Sequence, residues 1–327
     1  MRSAPSIVMR LLGTRLVLAT VLLASACRAK TAADDAPAVC TLTLPKHLQH
    51  TQPDALPASV WYQLLFKKDR GDLSDDPVDC AGEPIRWSEL PGSCGAEEPR
   101  ARQVTGRAGE PLTQSDLVVR HAGGDYWFGW APFLRFDDGE SEGPLAIARV
   151  HHGKLEVRAI GNLRAYTRHA RLAVRKVGVQ RLLVAEGEHC DSRPTCSRGT
   201  RLMWLDRQRF RMRPLRAATV RDCLGPAWFP QTDVRETRLG TRWRRTLQRD
   251  VALSFEPDHI VIDEHITVND RDDEQPSLPA RLFREAQSQL RITVHAGELL
   301  SEGHSLWDTI RIEDGATRAM PDSQARP

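Results

Sequence analysis

The sequence predicts a mainly β protein: an antiparallel meander, sandwich or barrel-like array with one or two short helices. Two observations carry that expectation. From Asp116 onward, short runs alternate apolar with polar residues, and Gly, Pro, Asn and Asp punctuate them at turn-like intervals. Only two stretches repeat apolar residues at the three-to-four spacing of a helix. No unit of fixed length recurs, which argues against a full propeller. The chain has 327 residues, 40% hydrophobic and 27% charged, which excludes collagen-like, low-complexity and wholly disordered chains.

Residues 1–26 read as a secretory signal peptide. Arg2, Arg10 and Arg15 come first, Leu16 to Leu23 forms an apolar run, and small residues lead to Cys27. The run is too short for a stable bilayer span and suits a cleaved segment. Leu23-Ala24-Ser25-Ala26-Cys27 resembles the lipobox of bacterial lipoproteins. The resemblance implies that Cys27 is acylated, becomes the first mature residue and holds the exported protein on the outer membrane, facing periplasm or surface. Residues 27–39 are mostly small and polar and suit a flexible tether.

Seven cysteines are present, and setting Cys27 aside leaves Cys40, Cys80, Cys94, Cys190, Cys196 and Cys223. Disulfides persist in an exported chain, so three bridges are expected. Chain separation suggests Cys80–Cys94 and Cys190–Cys196 as local closures, which leaves Cys40–Cys223. His189 precedes Cys190, but no Cys-x-x-Cys pair exists, and neither a metal nor another cofactor is expected.

The body is expected over 40–315, with a disordered tail at 316–327. Its first element is a helix over 57–68, with Pro57 at its start, Val60, Trp61, Leu64 and Leu65 on one face, and Lys67 and Lys68 at its end. Residues 69–114 are rich in Asp, Gly, Pro and Glu and read as loops. Strands follow at 117–120 and 126–136, and His151-His152-Gly153 joins strands 144–150 and 154–160 as a hairpin. Further strands are expected at 171–177, 181–186, 201–206, 209–215, 246–255, 260–268 and 290–295. Residues 279–289 suggest a second helix, with Leu282, Phe283, Ala286 and Leu290 on one side. Gly225, Pro226 and Pro230 interrupt the pattern, marking a candidate subdivision near 224–240.

The 46 basic residues barely exceed the 43 acidic ones, and three of the former lie in residues 1–26, leaving a neutral body. Such a body gives no reason to expect nucleic acid as a partner. Charge is uneven within it: residues 201–250 hold 13 Arg against 5 acids, and residues 251–300 hold 4 Arg against 10. Neighbouring strands with complementary faces explain this, as would a basic patch around Arg242, Arg244, Arg245 and Arg249.

Gly-x-Ser-x-Gly, His-Glu-x-x-His, a phosphate-cradling Gly-rich loop and an EF-hand are all missing. Three clusters are candidates for a ligand site. Trp127 and Trp130 lie in an aromatic strand that could stack on sugar. Residues 136–143 form an acidic loop able to hold calcium weakly. Asp263 and His265 share one face of a strand, ~6–7 Å apart, a spacing that suits two ligands of one ion. Glu264 falls instead on the face of Ile260, Ile262, Ile266 and Val268, and a buried carboxylate there requires an arginine, first sought in 242–249. The leading expectation is a non-catalytic lipoprotein that binds or scaffolds an envelope protein or glycan. The alternatives are an anchored hydrolase of glycan or peptide using Asp263 or Glu264, and a glycan- or lipid-binding module resting on the tryptophans.

Overall fold

The computed structural model describes residues 37–66, 78–83, 94, 103–104, 116–132, 134–136, 139–190 and 196–317. The signal peptide, Cys27, most of the tether and residues 318–327 lie outside the described residues. The chain opens with β1 (Cys40–Thr43), α1 (Ala58–Leu65), β2 (Gln103–Val104), β3 (Val118–Gly123), β4 (Tyr126–Trp130) and β5 (Leu134–Phe136). A long meander follows: β6 (Ser141–His151), β7 (Lys154–Ala165), β8 (Arg168–Val177), β9 (Gln180–His189), β10 (Ser197–Asp206) and β11 (Arg209–Arg211). Then come β12 (Pro214–Ala217), β13 (Cys223–Pro226), β14 (Trp228–Pro230), β15 (Thr232–Leu239), β16 (Trp243–Phe255) and β17 (His259–Asp272). The last elements are β18 (Arg281–His295), β19 (Glu298–Glu302) and α2 (Trp307–Thr317).

Twelve of these strands form one sheet whose central path is β2-β5-β6-β7-β11-β10-β9-β8. β3 and β4 join through β6, β1 through β7 and β14 through β10. The sheet is barrel-like. Val118, Phe128, Trp130, Leu145, Leu163, Leu172, Leu183, Met203 and Phe210, from eight different strands, meet in one buried cluster. Arg120 of β3 donates from Nε to the Ala170 carbonyl of β8 at 3.0 Å, bringing the ends of the curl together. The β6–β7 turn places His152 and Gly153 at φ 49° and 71°, the left-handed pair that a two-residue hairpin needs.

The other seven strands run β13-β12-β19-β18-β17-β16-β15. Ile260, Ile262, Leu290 and Ile292 of this sheet pack against Leu182, Val184 and Leu202, which alternate with the barrel-facing Leu183 and Met203. β9 and β10 are therefore buried on both faces, which explains the unbroken apolar run Leu182-Leu183-Val184-Ala185. α1 covers another side of the barrel-like sheet, with Val60, Trp61, Leu64 and Leu65 against Leu155 and Val157. A Cβ on Gly129 would overlap the Trp61 ring, so only glycine lets the helix sit this close to β4. α2 lays Trp307 and Ile310 on Leu247, Ile266 and Val268.

Residues 281–289 are strand rather than the expected helix. Their Arg, Glu, Ala and Gln favour a helix intrinsically, but pairing with β17 over a dozen registers overrides that weak preference. Two of the expected bridges are also exchanged. Cys190–Cys196 forms as expected, but the others are Cys40–Cys80 and Cys94–Cys223. Asp79 is bridged to Phe66 and hydrogen-bonded by Arg209 of β11, which carries Cys80 to the region where β1 lies on β7. Cys223, at the edge of the seven-stranded sheet, is left to Cys94. Chain separation misleads because each doubling of a loop costs only ~0.6 kcal/mol.

Candidate functional site

The aromatic strand is core rather than a sugar platform. Trp130 is 0% exposed, Phe128 is equally enclosed, and half-buried Trp127 meets His121 edge-on at 5.1 Å. Asp263 and His265 share the outer face of β17 as expected, beside a shallow cavity of about 620 Å³ that includes Asp250 and Gln287. Each nevertheless has its own partner. Gln289 Nε2 donates to Asp263 at 2.8 Å, and His265 Nε2 lies 2.8 Å from Glu285.

Glu264 is 4% exposed among the four predicted apolar neighbours. Its arginine is Arg249, at 3.5 Å through a single nitrogen rather than bidentately. Most of the carboxylate's hydrogen bonding comes from Ser288 Oγ at 2.7 Å, Ser305 Oγ at 2.7 Å and the Leu306 amide at 2.9 Å. Ser305 and Leu306 immediately precede α2, so Glu264 seats the start of that helix, where negative charge is favoured. The basic segment 242–249 is similarly committed: Arg242 to Asp272, Arg244 to Asp273, and Arg245 bidentately to Asp270 at 2.7 and 2.8 Å. The uneven charge along the chain is thus complementary pairing of neighbouring strands.

Residues 136–143 differ most from expectation. Asp137 and Asp138 lie outside the described residues, but Glu140 and Glu142 are 4% and 2% exposed rather than solvated. Glu140 accepts from Arg164 Nε at 2.7 Å and Arg201 Nη2 at 2.6 Å, both guanidinium groups buried as well. Arg164 stacks over Phe136 and Arg201 over Trp228. Burial pushes the Glu142 carboxyl up to about 8, against the opposing pull of Arg164, the Asn162 hydrogen bond and Arg201. One carboxylate is held by two cations while its neighbour is kept neutral by desolvation.

These groups lie where β6 begins and β7 ends, against the middle of β10. Beside them, where β8 begins and β9 ends, is an open cavity of about 480 Å³, lined by Arg120, His169, Arg171, Glu186, Glu188, Arg198 and Gln231. A β-bulge between Arg168 and Arg171 shapes it and turns His169 to φ 50°. Glu188 is met by His169 at 3.1 Å, Arg198 at 3.2 Å and Arg168 at 3.5 Å. Gln231 donates to Thr200 Oγ1 at 3.2 Å, which joins the cavity wall to the strand that carries Arg201. Comparison with known protein families, curated proteins and solved structures finds no match. The cavity is accordingly judged on its own chemistry: a rim rich in fixed N–H donors whose acidic members are partly compensated.

Among the described residues, the one group of ligand-type side chains close enough for an ion is Glu188 with Cys190 and Cys196. Both sulfurs are spent in a disulfide, so no thiolate is offered there. The sequence does contain a sign of the buried acids. Glu142 opens the run Gly143-Pro144-Leu145-Ala146-Ile147, much as Arg201 opens Leu202-Met203-Trp204. A charge at the head of an apolar run signals burial, but Glu140 and its partner Arg201 are 61 residues apart, and the pair is not legible locally.

Proposed function

We propose that this chain is an exported, lipid-anchored protein of a bacterial envelope, whose disulfide-stapled β body is a non-catalytic binding module. The observation that carries the reading is the cysteine count. Six of the seven cysteines are joined to one another in three bridges, and the seventh is Cys27 of the lipobox-like segment. Three structural bridges fit an oxidising compartment. No helix among the described residues is long and apolar enough to cross a membrane. The lipobox-like segment supports attachment through acyl chains on Cys27. Of the alternative of a hydrolase using Asp263 or Glu264, the geometry does not support the two acting as a pair, because successive residues of β17 face opposite sides. Glu140 and Glu142 have contrasting environments but are enclosed, which lends no support to hydrolysis by them.

The test is fractionation of cells that express the intact chain or its Cys27→Ser variant. The intact protein is expected in the membrane pellet, with acyl groups on its first mature residue by mass spectrometry. Cys27→Ser is expected in the soluble fraction. Equal pelleting of both proteins overturns the anchor.

A further inference from the structure

We infer that the cavity at the β8–β9 end binds an oxyanion carried on a small hydroxylated molecule, of the size of a sugar acid or sugar phosphate. The inference deepens the reading of the body as a binding module and does not depend on the anchor. Its basis is the supply of donors. A guanidinium carries five N–H groups in a fixed fork. Arg171 stands exposed on β8, and no hydrogen bond or ion pair engages it among the described residues. Arg120 is held in place by Nε on the Ala170 carbonyl and Nη1 on the Val119 carbonyl, which leaves its other terminal nitrogen available at the wall. Arg198 is fixed through Nε on Glu188, and the far side of its fork remains.

The acids do not cancel this surplus. The Glu188 charge is already shared by Arg168, His169 and Arg198. Glu186 lies opposite Arg171 in the β8–β9 register and is placed to accept from ligand hydroxyls. Gln231 has its amide nitrogen on Thr200 and its backbone N–H on the Arg198 carbonyl, so its side-chain oxygen is a second acceptor. Guanidinium donors for an oxyanion, with two acceptors for hydroxyls, define the ligand class. About 480 Å³ accommodates one or two sugar rings. Guanidinium recognises carboxylate and phosphate in the same bidentate way, so both sources share this chemistry.

The experiment is calorimetric titration of the mature, disulfide-intact protein with glucuronate, glucose 6-phosphate and glucose. Saturable binding of one or both anions is expected, weakening as salt rises, with glucose inert. Arg171→Ala is expected to weaken binding about tenfold or more. Arg175→Ala, on the same strand but outside the cavity, is expected to leave it unchanged. Glucuronate alone assigns a carboxylate ligand and glucose 6-phosphate alone a phosphate. Binding of neither anion, or binding indifferent to Arg171→Ala, overturns the inference. Neither result bears on membrane fractionation, so failure of the cavity and failure of the anchor are read separately.

Discussion

Two buried carboxyls solve the same problem differently. Glu264 is supplied with two hydroxyls, one amide and a cation. Glu264→Ala is expected to destabilise the fold by ~3–5 kcal/mol in urea titration, because it strands Arg249 and unseats α2. Glu142 is instead kept neutral by burial, its carboxyl pushed up to about 8 from 4.5. Between those values the folded state binds the proton and the unfolded state does not. Stability therefore falls as pH rises from about 4.5 to about 8 and levels off above, by a few kcal/mol from this group. Glu142→Gln is expected to flatten that fall, so that the variant gains on the parent at pH 9 relative to pH 5. A parallel pH dependence in both proteins would contradict the assignment. Glu264 was legible because it breaks the strict alternation of β17. Glu142 was not, since an acidic string beside two glycines reads as solvated loop until its remote arginines are known.

At the level of elements, alternation served well wherever one face of a strand is buried. The β6–β7 hairpin, β8, β16 and β17 could all be placed from the residues alone. β18 could not, although Ala286, Ser288, Leu290 and Ile292 do alternate with Gln287, Gln289 and Arg291. Leu282 and Phe283 fitted a helical face, and both turn out to be exposed, with Arg245 stacked over Phe283. β13 and β14 were hidden by Gly225, Pro226 and Pro230, residues that sheet edges tolerate. The bridges differ sharply in the loops they close, 129 residues for Cys94–Cys223 and 6 for Cys190–Cys196. Replacing both cysteines of the first pair with alanine is expected to cost about 5 kcal/mol and of the second about 2, by denaturant titration. A reversed order would show that chain entropy does not govern these bridges here.

For the whole molecule, the path of the chain between its two sheets governs the order of assembly. After β11 the chain deposits β12 and β13 in the second sheet, returns to the first with β14, and then builds β15 to β19. β12 pairs in parallel with β19, so Leu215 waits for Leu299. A nascent chain that has emerged as far as Pro230 can curl the first sheet completely. It then carries Leu182, Val184 and Leu202 on an uncovered outer wall until the remaining strands arrive. That interval, rather than the finished protein, is when two copies are most apt to stick together. A nonsense codon anywhere between Gln231 and His259 would freeze the molecule in its adhesive form.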